Sequence, residues 1–157
     1  MASDLLRIPK KEKTVTLWVH PEGRVIGSMF LHEQSTRHAG GQEPLEILNQ
    51  NEAFLVLKRH DPDEIRFYNR GSIVRLEYPA DDVPILPDST PLPCRLQLMD
   101  GSVISGVIRE PLPPDRSRLY DYLNRSGDRF VRLLVDDNRI YIVNKAYIVH
   151  AIELPAP

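Results

Sequence analysis

Cysteine is almost missing from this chain: Cys94 is the only one in 157 residues. Its solitude excludes an intramolecular disulfide and any cysteine-rich metal site, and it fits a reducing compartment. Long apolar runs are missing too. Nothing approaches the roughly 18 residues that a membrane-spanning helix needs. The opening stretch MASDLLRIPKKEK has a short apolar patch, then charges, and lacks the apolar core and cleavage site of a secretory leader. The expectation is a cytoplasmic protein with no membrane partner. Charge of one sign is scarce as well: 20 Lys+Arg against 22 Asp+Glu leave a net −2. Such a balance argues against a surface built as a whole for nucleic acid, though a local basic face stays open.

Catalytic signatures are equally scarce. No GxSxG, P-loop or GxGxxG occurs. Cys94 follows Pro93 with no histidine nearby in sequence, and a nucleophile needs an adjacent base. The carboxylate pairs Asp61/Asp63, Asp81/Asp82 and Asp136/Asp137 fall at turns, where solvated hairpin ends put them. His32, Glu33 and His38 share one loop with Gly40-Gly41, and a metal site needs ligands fixed on rigid elements. The expectation is therefore no catalytic residue, no cofactor and no metal.

What the chain does have is a repeat. GRVI at 23–26 returns as GSVI at 101–104. Leu48-Asn49 returns 75 positions later as Leu123-Asn124, and Ile65, Asn69 and Ile73-Val74 return at the same spacing as Ile140, Asn144 and Ile148-Val149. Phe54 returns as Phe130, one residue out of step. A shared order of turn glycine, Leu-Asn and closing Ile-Val indicates duplication of one small module. Both phenylalanines are expected in the core.

Each copy reads mainly β. Val15, Leu17 and Val19 alternate with Thr14, Thr16 and Trp18, a strand pattern, and Pro21-Glu22-Gly23 supplies the turn into a returning strand at 25–31. A polar stretch, 32–43, precedes Pro44–Asn49, which suits a single helical turn. Strands at 53–59, 64–68 and 72–78 follow. The second copy runs through strands at 95–98 and 103–108, a matching short helical turn at 119–124, and strands at 130–135, 139–143 and 147–154. Asn49 and Asn124 either line ligand pockets or end short helices and αL turns, and the same choice applies to Asn69 and Asn144. Fourteen prolines are present, five of them in PADDVPILPDSTPLP at 79–93, as expected of an extended connector. The domain plan is a flexible lead (1–13), a first module (14–78), a linker (79–93) and a second module (94–154).

"LQLMDGSVISGVI", "IYIVNKAYIVHAI" and "FYNRGSIVRL" resemble the opening hairpin and closing strands of Sm-like and SH3-like small barrels. The resemblance implies two tandem, partly open five-stranded β-barrels, each with a short helical turn. The order DG…LN…F…NK…I also resembles uncharacterised bacterial proteins and implies no function. Sm-like proteins that bind RNA carry Asp and Asn before the third strand and Arg-Gly before the fifth. Here Arg70-Gly71 matches, Lys145-Ala146 does not, and Asp121-Tyr122-Leu123-Asn124 is differently spaced.

Between Arg109 and Arg132 lie Arg116, Arg118, Arg125 and Arg129 with Tyr120 and Tyr122. Arginine beside aromatics suits either stacked single-stranded nucleic acid or a protein contact. Glu110, Asp115, Asp121 and Asp128 are interleaved, so a salt-bridged loop or a protein contact explains the stretch at least as well as nucleic acid does. The reading is a non-enzymatic adaptor or assembly protein. Its partner, or a further copy of itself, would be bound through strand edges and through Arg116, Arg118, Tyr120, Tyr122 and Arg125. RNA binding by an Sm-like protein is the second reading.

Overall fold

A computed structural model describes residues 10–37, 40–80, 89, 91–116 and 118–155. Among them the fold is mainly β, with two short α-helices. It divides into two compact units, 1–73 and 74–157.

The first unit contains β1 (Lys10–Val19), β2 (Gly23–His32), α1 (Pro44–Leu48), β3 (Phe54–His60) and β4 (Asp63–Asn69). β1 begins inside the stretch read as a flexible lead. Its alternation holds, since Val15, Leu17 and Val19 are buried. β1 and β2 form a hairpin in which Val19 pairs with Gly23 and Lys10 with His32. Gly23 makes the turn at φ +95°, a backbone region that side chains disfavour. The sheet runs β1-β2-β3-β4. Only Gly27–Arg59 and Ser28–Lys58 pair between β2 and β3. There a Cβ on Gly27 would lie 2.6 Å from the Lys58 carbonyl oxygen.

The second unit contains β5 (Ile73–Pro79), β6 (Leu92–Leu98), β7 (Val103–Ile108), α2 (Leu119–Leu123), β8 (Phe130–Val135), β9 (Arg139–Asn144) and β10 (Ile148–Glu153). The stretch 119–124, read as the short helical turn of the second copy, is helical through Leu123. Here the sheet runs β10-β6-β7-β8-β9-β5. Gly101 turns β6 into β7 at φ +89°, and a Cβ on Gly106 would lie 2.8 Å from the Leu134 carbonyl oxygen. The two copies therefore share a turn glycine and a glycine that lets two strands press together.

The sheet is open and does not close into a barrel. The resemblance to small barrels implied two five-stranded units, but four strands fall in the first compact unit and six in the second. The reason lies in β5. This strand ends the first sequence repeat, yet it pairs antiparallel with β9, Arg75 opposite Val143 through Pro79 opposite Arg139. It therefore packs with the second unit. The proline-rich connector is shorter than expected, because β5 includes Pro79 and β6 begins at Leu92. Its centre, 81–88 and 90, lies outside the described residues.

Candidate interaction surfaces

The repeated asparagines hold backbone. Asn69 and Asn144 each precede a single 3-10 turn, and their side-chain oxygens accept from Gly71 N–H at 2.8 Å and Ala146 N–H at 3.0 Å. The residues that close these turns, Ile73 and Ile148, have nearly the same dihedrals. Asn49 and Asn124 close α1 and α2 with φ near −92° and −95°, so neither uses the left-handed region. The Asn124 amide also donates to Tyr120 O at 2.8 Å. These are structural roles.

Arg70, in the Arg-Gly turn of the first copy, is buried, and its guanidinium donates to the carbonyls of Ile47 and Glu52. Lys145 stands in its place in the second copy and donates to Arg125 O at 3.0 Å. Burial lowers the Lys145 pKa, with Arg125 adding to the fall and Asp128 opposing it. Both basic residues tie the turn to the region just after or within a short helix.

The Arg/Tyr loop is only partly brought together. Tyr120 is 69% exposed on α2, and Arg118 at the start of that helix is exposed while reaching Asp121 at 3.2 Å. Tyr122, expected on the surface, is buried at 2% exposure. Burial first, then the Glu110 carboxylate, pushes its hydroxyl pKa up. Arg125 lies over the Tyr122 ring at 5.2 Å and bonds Asp128 at 2.7 Å. The five-residue helix turns one tyrosine out and the other in, because positions i and i+2 lie on different faces. Tyr122 therefore leaves the contact set. Arg116 sits at the end of a 3-10 turn, Pro114–Arg116.

Among the described residues no group of three or more His, Cys, Asp or Glu side chains could hold a metal ion; His38 lies outside them. The His60 ring is 2.8 Å from Ser28 Oγ, and the His150 ring 2.9 Å from Gln97 Oε1. Cys94 is fully buried, and burial raises its thiol pKa to about 11.

The sequence reading missed an apolar patch on β3 and β4. Phe54 is 55% exposed, Val56 41%, Ile65 52% and Phe67 68%. Val56 pairs with Phe67, Phe54 with Asn69 and Lys58 with Ile65, so all four apolar side chains stand on one face. β4 is the last strand of its sheet, with one side unpaired by any described strand. Phe54 thus contradicts its expected core place, whereas Phe130 is buried at 1%. The alternation of 54–57 did not reveal which face is covered, since both faces carry large apolar residues.

No family model, curated protein or solved structure matches the chain.

Proposed function

We propose that this chain is a non-enzymatic assembly or adaptor protein, built from two divergent copies of an Sm-like module, that binds protein through its strand edges. One observation carries the reading: four large apolar side chains stand exposed together beside a sheet edge in the first unit. Water penalises such a patch, and an unpaired edge offers backbone donors and acceptors to an incoming strand. Tyr120 and Arg118 supply a second, more polar contact point.

RNA binding ranks lower for a physical reason. Arg118, Arg125 and Arg132 each face a carboxylate, from Asp121, Asp128 and Glu110. Arginines neutralised in this way contribute little to phosphate binding.

The test uses the full chain as bait. Phe54→Ser with Phe67→Ser should abolish partner capture while leaving the fold intact, because both residues are exposed. Tyr120→Ala with Arg118→Ala should weaken it. Capture unaffected by either pair, together with copurified nucleic acid that salt releases steeply, would replace this reading with the RNA one.

A further inference from the structure

One face of the β3–β4 hairpin lies bare. Leu55 and Leu57 turn to the other face and are 4% and 0% exposed. Side chains alternate along a strand, so Phe54, Val56 and Lys58 of β3 stand on the bare face with Ile65 and Phe67 of β4. The register arranges this face in rows: Phe54 beside Asn69, Val56 beside Phe67, Lys58 beside Ile65, and His60 beside Asp63. The first three rows hold the apolar patch. The last two carry charge of both signs, on Lys58 and Asp63. Lys58 Nζ lies 3.6 Å from Glu12, and the His60 ring 2.8 Å from Ser28 Oγ. Asp63 and His60 are both exposed.

Shape, charge and area each fit this face to a second copy of itself. A two-fold axis running parallel to the strands, midway between β3 and β4, lays β3 of one copy over β4 of the other and keeps every row in register. The smaller Val56 then lies against the larger Phe67 of the second copy, twice over. The same operation sets Asp63 of each copy against the His60 ring of the other and within a lysine's reach of its Lys58. A partner of one charge sign would instead leave Lys58 or Asp63 facing its like. A phenylalanine has roughly 150–250 Å2 to bury, so at 55% and 68% exposure Phe54 and Phe67 leave about 250 Å2 in water. Val56 and Ile65 bring the patch to about 400 Å2, the size of a functional surface on a small protein. Two such faces bury about 800 Å2 together, at the low end for a specific contact, so the pair forms and parts with concentration.

We propose that two copies of this chain stack these faces as a weak two-fold dimer, β3 of each over β4 of the other, with the sheets about 10 Å apart. The proposal rests on the protein-binding reading above and assigns the apolar face, as distinct from the strand edge beside it, to a second copy. The contact uses the same surface on both copies, so it is satisfied at two chains and does not propagate. Backbone groups at the edge of β4 take no part in it.

Light scattering over a concentration series tests it. The wild type should rise from the 18.0 kDa of one chain toward twice that mass and level off there. Phe67→Lys, which puts a charge at the centre of the face, should stay at 18.0 kDa. Asp63→Lys leaves each face with two lysines, and Lys58→Asp leaves it with two aspartates. Each of these variants alone should dimerise less than the wild type, and the two mixed in equal amounts should regain the dimer. Circular dichroism and denaturation midpoints would verify that all three variants fold. Masses that climb beyond two chains, a Phe67→Lys variant that associates like the wild type, or a mixture that pairs no better than its components would overturn the proposal. If the wild type stays monomeric while capture of a different protein depends on Phe54 and Phe67, the second copy falls and the broader reading stands. If the dimer behaves as described while capture ignores Phe54, Phe67, Arg118 and Tyr120, the dimer stands and the broader reading falls.

Discussion

Phe54 and Phe130 occupy the first position of β3 and β8, yet one is exposed and the other buried. Truncating a buried phenylalanine removes contacts that the surroundings do not restore, so Phe130→Ala should cost about 3–5 kcal/mol. Phe54→Ala, in the isolated chain, should stay within about 0.5 kcal/mol. Urea denaturation of both variants reads the difference; equal losses would mean that Phe54 is covered in solution. Cys94 makes a second residue-scale case. With its pKa raised from 9.0 to about 11 by burial, the folded chain holds the proton that the unfolded chain releases first. The protonated thiol therefore contributes stability that is complete below pH 9.0 and declines as pH rises toward about 11. Thiol reagents at neutral pH should modify Cys94 only on unfolding. Rapid labelling of the native protein would show that the site opens.

At the scale of elements, the repeat is a set of backbone devices. Gly23 and Gly101 were legible in the sequence because a turn glycine before Val-Ile is a local signal. Gly27 and Gly106 were not, because the need for each arises from a carbonyl on another strand, Lys58 O or Leu134 O. Gly106→Ala should force β7 away from β8 and destabilise by about 1–3 kcal/mol; an unchanged melting transition would mean that the strands part freely. Asn144→Ala should cost about 1 kcal/mol through loss of the acceptor for Ala146 N–H. Both short helices were legible, α1 from Pro44 and α2 from the matching place of 119–124 in the repeat. Tyr122 was misplaced because the repeat marks where a helix falls and says nothing about which of its faces is covered.

For the whole molecule, the mainly-β class follows from alternation and turn residues, and the spacing of 75 marks which motifs recur. The strand partnership of β5 follows from neither, because sequence period marks which residues form a strand and says nothing about which neighbour takes its edge. That partnership is what makes the exposed patch intelligible: the same strand pair appears once with its edge filled and once with it open. The account's central claim is that the open edges of β4 and β10 are where this protein meets its partners. Amide hydrogen exchange, followed peptide by peptide in the free chain and in the chain bound to its captured partner, tests it most directly. Slower exchange in the bound chain is predicted in 63–69 and 148–153, with 10–32 and 103–108 unchanged. Exchange that binding leaves unaltered in both edge strands, or protection confined to 118–125, would contradict it.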